Sequence, residues 1–243
     1  MSTNANKQDS VSPDCKQTID VEATSVGAQA DRVLKPNYWY LFWKRAFDIV
    51  SSGLLILLIS WLLLIVAIGV KISSKGPILF KDARVGKNGK DIRVWKFRSM
   101  YIDAEERMQE KLTPEQYEQW LKERKIDDDP RITKFGHFIR KTSLDELPQL
   151  FNIFGGTISV VGPRPISRME LDGNFTKEQQ KVLLSAKPGL ISNWAVNGRS
   201  DVTFDNGERQ RLELEYIGKN SLFLDLWLIL KAIPAVLRHK GAK

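Results

Sequence analysis

The pattern of apolar and polar positions divides the chain into four stretches. Residues 1–35 are polar, rich in Ser, Thr, Asp, Gln and Ala, and hold few large apolar groups. Such a stretch cannot bury enough surface to offset its ordering entropy, so a disordered tail is expected there. It lacks the basic start, apolar middle and cleavage site of a secretory signal. From Ala46 to Val70 the chain is almost continuously apolar, ending in LLILLISWLLLIVAIGV. As a helix, about 25 residues would reach roughly 37 Å, against a bilayer core of roughly 30 Å. A soluble helix shows a polar face, and none is evident in this run. The aromatic and basic segment Asn37-Tyr38-Trp39-Tyr40-Leu41-Phe42-Trp43-Lys44-Arg45 before it suits a membrane–water interface.

After Pro77 the period shortens to that of strands. Ile78–Lys81 and Asp91–Phe97 flank a turn whose Asn88-Gly89 pair accepts positive φ, predicting a hairpin. Asp103 to about Lys125 is charged and helical, with Pro114 marking a break or a second start. Asp127-Asp128-Asp129 before Pro130 reads as a solvated turn rather than a metal cluster. Thr157–Val161 predicts a strand leading into the rigid loop Gly162-Pro163-Arg164-Pro165. Thr176–Ala186 and Gly207–Tyr216 predict helices, the first closed by Lys187-Pro188-Gly189. The end, SLFLDLWLILKAIPAVLRHK, is interrupted by Asp225, Lys231 and Pro234 and fits a helix lying along a membrane surface.

Charge then narrows the partners. Lys and Arg number 37 against 29 Asp and Glu, a net charge of +8. That favours an anionic partner: nucleic acid, a phosphorylated molecule or an anionic membrane. The single cysteine, Cys15, excludes an intramolecular disulfide and a cysteine-rich zinc site. The two histidines, His137 and His239, form no HExxH pair. A bound metal would therefore use carboxylates, which suits magnesium. The glycines and lysines of the hairpin turn do not match the GxxxxGK[ST] phosphate loop. Bases flank both ends of the apolar helix: Lys44 and Arg45 before it, Lys71, Lys75, Lys81 and Arg84 after it. That gives no clear orientation and is what a helix entering and leaving one leaflet would show. Asp48, three residues after Arg45, can pair with it on one face.

The candidate chemistry lies in TSLDELPQLFN, residues 142–152. Ser143-Leu144-Asp145-Glu146 matches a capping box, which predicts a helix starting at Ser143 and explains both acids structurally. Pro148 predicts an early break in that helix. The neighbours add a functional reading. Arg140 and Lys141 precede the motif, and Arg164 sits in a loop stiffened by two prolines. Arginines beside a helix start make a competent phosphate site. A carboxylate facing it can attack phosphorus, and Asp145 and Glu146 could share one magnesium ion. For Asp225 the alternatives are pairing with a base and a carboxylate held inside a site.

From about Trp43 to Lys243 the chain resembles the bacterial sugar transferase family, the polyprenyl-phosphate phosphoglycosyl transferases with a re-entrant membrane helix. The resemblance rests on KRAFDIV, GPILFKDARVGKNGK, WKFRSM, RKTSLDELPQLFN, SVVGPRP, KPG, NGRSD and LFLDLWLILK, in that order. It implies an α/β fold of the α+β type. A disordered tail (1–35) and a membrane-associated helix (36–75) would precede a catalytic domain (76–243) with a small sheet, several helices and an interfacial C-terminal helix. It also implies a bacterial inner-membrane location, with catalysis on the cytoplasmic side. Asp145 would attack the β-phosphorus of a UDP-sugar, releasing UMP, and undecaprenyl phosphate would take the phosphosugar from it. Glu146 would help Asp145 hold magnesium. Arg140 and Arg164 match phosphate-binding positions, and Lys96, Arg199 and Asp225 match further polar positions of the site. The implied partners are UDP-sugar, undecaprenyl phosphate, membrane lipids and downstream glycan-assembly enzymes, with no nucleic acid. NGRSD and the C-terminal pattern look most like members that transfer glucose-1-phosphate or galactose-1-phosphate.

Three positions depart from the usual pattern. Ser60-Trp61 replaces the Ser-Pro that breaks the membrane helix in many members, leaving a bend to Ser60 bonding back to a carbonyl. Thr157 stands where many have an acid. Gly189 to Trp194 lacks the usual Thr-Gly. The rival readings are a membrane-tethered basic module that binds nucleic acid or anionic lipid without catalysis, and a non-catalytic scaffold. Neither accounts for Arg140–Glu146, the Gly162–Pro165 loop and Asp225 together.

Overall fold

The computed structural model describes residues 37–123, 126, 129–198, 202–204 and 206–237. The polar tail, Cys15, Asp127, Asp128, Arg199 and His239 lie outside the described residues. Eleven α-helices and four strands are described. Helix α1 (Tyr38–Leu58) and helix α2 (Ser60–Ser73) are separated at Ile59 and bent by 65°. No single helix among the described residues is long and apolar enough to cross a membrane, but this bent pair passes as a broken span or a re-entrant loop. Ser60 donates its hydroxyl hydrogen to the Leu57 carbonyl at 2.9 Å, the back-bonding expected where proline is missing.

The polarity of α1 is inverted. Its inward line is Tyr40, Lys44, Asp48 and Ser52, four residues apart, all buried except the half-buried Lys44, while Trp39, Phe42, Val50, Leu54 and Leu57 face outward. The sequence reading saw no polar face here; the structure has one, narrow and turned inward. Arg45 and Asp48 do not pair with each other. Arg45 donates to the carbonyls of Ile153 and Phe154, both at 2.7 Å, capping another helix. Asp48 accepts from the Ser159 hydroxyl at 3.0 Å and from the Val160 N–H at 2.9 Å. Each finds a better partner on the domain than on its own helix.

Strands β1 (Leu79–Val85) and β2 (Asp91–Phe97) form the expected antiparallel hairpin, with Val85 opposite Asp91. Asn88 (φ 59°) and Gly89 (φ 74°) both take the left-handed conformation that their types predicted. The charged segment becomes α3 (Ala104–Lys111) and α4 (Pro114–Glu123), with Pro114 as a start. Asp129 is buried against Arg131 at 2.7 Å. Next come α5 (Lys134–Lys141), a 3-10 turn (Leu144–Glu146) and α6 (Gln149–Gly155).

Strand β3 (Ser159–Val161) pairs in parallel with β4 (Gly189–Ile191), a strand the sequence reading missed. Between them run α7 (Arg168–Asn174) and α8 (Lys177–Ser185). The expected small sheet is therefore two separate two-stranded sheets. Gly162 and Gly189 cross so closely that a Cβ on Gly189 would meet the Gly162 nitrogen at 2.0 Å. Val85 N–H donates to the Ile166 carbonyl at 2.9 Å and joins the hairpin to the loop after β3. Helices α9 (Asn193–Asn197), α10 (Glu208–Lys219) and α11 (Leu222–Leu237) complete the chain. One core cluster joins β3, α7, α8, α10 and α11. A second packs Val66 and Val70 of α2 against Phe97 and Ile139, so the apolar helix pair is continuous with the domain.

Asp48 ties α1 to β3, which sets an expected outcome. Asp48→Ala removes two hydrogen bonds and strands a buried N–H, costing about 2–4 kcal/mol. In detergent, thermal unfolding of that variant is expected to fall by roughly 5–10 °C. Val50→Ala, on the outward face, is the comparison. Equal unfolding temperatures for the two variants would contradict the clamp.

Candidate active site

The site is assembled from the hairpin, the 3-10 turn and the loop after β3. Strand alternation places Asp82 and Arg84 on one face of the hairpin with Lys96, since Phe80 lies opposite Lys96 and Asp82 opposite Val94. Asn152 docks α6 on the free edge of β2. Its side-chain oxygen accepts from the Trp95 N–H and its amide donates to the Arg93 carbonyl, both at 2.8 Å. An asparagine side chain thus stands in for a strand, and it brings the turn before α6 over Lys96.

The turn is not built as the capping box predicts. Ser143 adopts φ 57°, ψ 18° and makes no side-chain cap. An N-cap needs extended backbone. Ser143 instead closes α5, donating its N–H to the Arg140 carbonyl at 3.0 Å in the left-handed position that ends helices. The chain reverses there, and Leu144–Glu146 form a single 3-10 turn. Pro148 then leads into α6, so the early break expected from it is present. True capping boxes occur at Ser167/Glu170 and Thr176/Gln179.

In this turn Asp145 and Glu146 meet the basic residues. The Lys96 ammonium lies 3.7 Å from Glu146 and 3.7 Å from Asp82, an ion contact rather than a hydrogen bond. The Arg140 Nε donates to the Ser99 hydroxyl at 2.8 Å. Burial, and then the neighbouring Glu146 charge, push the Asp145 carboxyl up to about 6, against the opposing pull of Lys96 and Arg140. Burial holds the Arg140 guanidinium below its usual range. A narrow cleft is lined by Asp82, Arg84, Lys96, Glu146, Gln149, Arg164 and Gly189. Lys96, Glu146 and Arg164 thus share one wall-to-wall opening, with Asp145 and Arg140 beside it.

Asp225 is paired with a base, the first of its two alternatives, and it does not line the cleft described above. Its carboxylate pairs with Lys44 at 2.7 Å and accepts from the hydroxyls of Tyr216 (2.7 Å) and Tyr40 (3.0 Å), tying α1, α10 and α11 together. Arg199 lies outside the described residues. The sequence reading missed Asp82, Arg84, Glu170, Arg209 and Glu213. Arg84 contacts Asp82 at 2.8 Å and Glu170 at 3.1 Å, and Arg209 reaches Glu170 at 3.9 Å. The available signal was strand register: in a hairpin, Asp82 and Arg84 must share a face with Lys96.

Among the described residues no three His, Cys, Asp or Glu side chains converge on one point. A protein-only metal cage is therefore absent from them. Two adjacent carboxylates, of which Asp145 is raised partly by the Glu146 charge, fit a different mode, in which a hard cation takes one or two carboxylates and completes its shell with phosphate oxygens and water.

Beside the turn lies an apolar groove of about 420 Å³ in the elbow of the bent helix pair. Ile56, Ser60, Leu63 and Ala67 form one side, and Phe97, Pro148 and Phe151 the other. Pro148 and Phe151 belong to the segment that carries Asp145 and Glu146. A cluster of charge able to hold phosphate thus abuts a slot able to hold hydrocarbon.

Residues 39–239 match the sequence profile described as bacterial sugar transferase. The chain belongs to the bacterial sugar transferase family. This sugar transferase is 39% identical to the exopolysaccharide production protein ExoY of Rhizobium meliloti over 201 residues, 82% of this chain and 87% of that one. It is 41% identical over 203 residues to the undecaprenyl-phosphate galactose phosphotransferase of Salmonella typhimurium, 83% of this chain and 42% of that one. It is also similar to the UDP-glucose:undecaprenyl-phosphate glucose-1-phosphate transferase of Escherichia coli, 37% identical over 210 residues, 82% of this chain and 41% of that one.

The raised carboxyl of Asp145 carries a stability consequence. Its folded value, about 6, lies above its ordinary 3.8. The protonated form is thus favoured in the fold, and ionising it as pH rises through 6 destabilises the protein. Asp145→Asn removes that burden. We expect it to raise the unfolding temperature at pH 7.5 without magnesium by roughly 2–6 °C, and to have no such effect below about pH 4. A lower unfolding temperature for Asp145→Asn at pH 7.5 would contradict the burial and like-charge account.

Proposed function

We propose that this sugar transferase moves a sugar-1-phosphate from a UDP-sugar to undecaprenyl phosphate, in two displacements at one phosphorus. The observation that carries the reading is the pairing of a half-buried carboxylate, set among Lys96, Arg140 and Arg164, with the apolar groove next to it. Relatives named for undecaprenyl phosphate and for a galactose or glucose phosphate support the substrate class.

In the first step an Asp145 oxygen forms a bond to the β-phosphorus. The bond from that phosphorus to the bridging oxygen breaks, and UMP leaves with the electron pair. In the second step a phosphate oxygen of the lipid attacks the same phosphorus. The bond to Asp145 breaks, the carboxylate is restored, and a lipid diphosphate sugar is released. Lys96, Arg140 and Arg164 offset the negative charge of the transferred phosphate, which would otherwise repel an anionic nucleophile. Asp145 and Glu146 would hold magnesium, which when bound neutralises phosphate oxygens. The elbow groove receives the first apolar units of the lipid, so that its phosphate ends beside the turn. The product starts exopolysaccharide, capsule or O-antigen assembly.

The bent pair α1–α2 would enter and leave one leaflet of the bacterial inner membrane, with the catalytic domain on the cytoplasmic side. The outward apolar face of α1 and α2 supports this placement. So does α11, which buries Asp225, Leu228 and Ala232 and turns Phe223, Leu226, Trp227 and Leu230 outward. Of the flanking bases, Lys44 and Arg45 are taken by the domain, and the exposed Lys71 and Lys75 are the ones that fit headgroups.

Purified protein with magnesium, undecaprenyl phosphate and a panel of UDP-sugars is expected to release UMP, with UDP-glucose or UDP-galactose preferred. Asp145→Asn is expected to reduce release to background, and EDTA to stop it until magnesium is restored. UMP release persisting in Asp145→Asn would refute the nucleophile. Topology is tested separately, through the native Cys15 in intact cells. A membrane-impermeant thiol reagent should leave it unlabelled; labelling from outside would mean that the helix pair spans.

A further inference from the structure

Helix α10 directs two ionisable side chains toward the loop after β3: Arg209 and, one turn on, Glu213. Glu213 is 3% exposed. Its Oε2 accepts from the Arg164 backbone N–H at 3.1 Å, the residue between the two prolines of the loop. Proline has no N–H, so Arg164 supplies the backbone donor between Pro163 and Pro165, and Glu213 takes it. Near this contact four flat groups cluster. The Arg209 guanidinium lies 4.1 Å from the Trp194 ring centre and 3.9 Å from that of Phe204, and the Arg164 guanidinium lies 5.3 Å from Trp194. Two arginines share one indole, and the repulsion between them contributes, after burial, to pushing Arg209 down to about 10. Arg209 Nε is buried without a hydrogen-bond partner among the described residues.

A carboxylate this deep is costly in isolation. Burial pushes it up to about 7, and the Arg164 N–H, Arg209 and Arg164 draw it down against that. An amide or hydroxyl could satisfy the loop N–H alone. The added charge has its effect on the two guanidiniums.

We propose that Glu213 is a positioning residue for the transfer reaction. It holds the Gly162–Pro165 loop by the Arg164 N–H and lets the Arg164 and Arg209 cations stand together, so that Arg164 faces the cleft shared with Lys96 and Glu146. It touches no substrate; it acts through Arg164 on the binding of the sugar nucleotide's diphosphate. The inference rests on the reaction proposed above, and nothing in the sequence motifs assigns this residue.

The test compares wild type, Glu213→Gln and Glu213→Asp in the UMP-release assay at pH 8, with unfolding temperature measured on the same samples. Glu213→Gln keeps the size and the acceptor oxygen and removes the charge. It is expected to raise KM for the UDP-sugar about tenfold, while kcat changes less than threefold and the unfolding temperature does not fall. Glu213→Asp, which keeps the charge, should recover part of that KM. Two results overturn the proposal: unchanged KM in Glu213→Gln, or a loss of kcat that follows a fall in unfolding temperature with KM unaltered. Should wild type itself release no UMP from any sugar nucleotide, the reaction proposed above fails, and with it the role assigned to Glu213.

Discussion

The structure depends on an inverted helix. Helix α1 buries Tyr40, Asp48 and Ser52, turns the half-buried Lys44 the same way, and leaves most of its aromatic and aliphatic side chains outside. In water this arrangement would expose a large apolar surface; against lipid it is the favourable one. The buried polar stripe then has to be satisfied by the domain, because an unpaired polar group in that position is costly. Lys44 finds Asp225, Arg45 finds the end of α6, and Asp48 finds β3. Through those three contacts the helix with the outward apolar face also sets where α6 and β3 lie. The Asp145–Glu146 turn precedes α6, and the Arg164 loop follows β3.

The site itself is a balance of charges held at close quarters. Five acids (Asp82, Asp145, Glu146, Glu170, Glu213) alternate with Arg84, Lys96, Arg140, Arg164 and Arg209, and several contacts are ion contacts of 3.7–3.9 Å rather than tight pairs. Loose pairing leaves the cations able to turn to a phosphate. The adjacent carboxylates of the turn are the opposite case, held together against their repulsion. Local strain and like-charge contact of this kind are expected where a protein keeps a reactive group poised. The left-handed Ser143 belongs to the same pattern, since it ends α5 and reverses the chain into the turn.

Much of this was legible from local chemistry. Asn88-Gly89 specifies its turn because few other residues tolerate positive φ at both positions. Pro114 and Thr176 begin helices where their chemistry says they should. The acids of TSLDELPQLFN and the bases around it stand out by residue type alone, and the fold does bring Asp145 and Glu146 close to Lys96 and Arg140. The failures have a common cause. Ser143 carries the letters of a capping box, but α5 ends just before it and takes it for a different task. Arg45 and Asp48 have the spacing of a pair, but backbone groups on α6 and β3 are better partners. Asn152 reads as an ordinary helix residue until it is seen bonding to the open edge of β2.

What the sequence determined by itself is therefore most of the long elements and the types of residue gathered in one motif: an apolar helix with a weak point at Ser60, a hairpin, a carboxylate pair among bases, and membership of a family. These depend on periodicity and on residue type, which are local. Only the tertiary structure decided which faces meet and which charges pair. It turned the polar stripe of α1 inward, moved Asp225 into the helix clamp, and brought Glu213 and Arg209 under the Arg164 loop. The pairings Glu213–Arg164, Asp48–Ser159 and Lys44–Asp225 join residues 49, 111 and 181 positions apart. Their energies come from burial and from hydrogen bonds that exist only once the chain has closed on itself, so no local pattern records them.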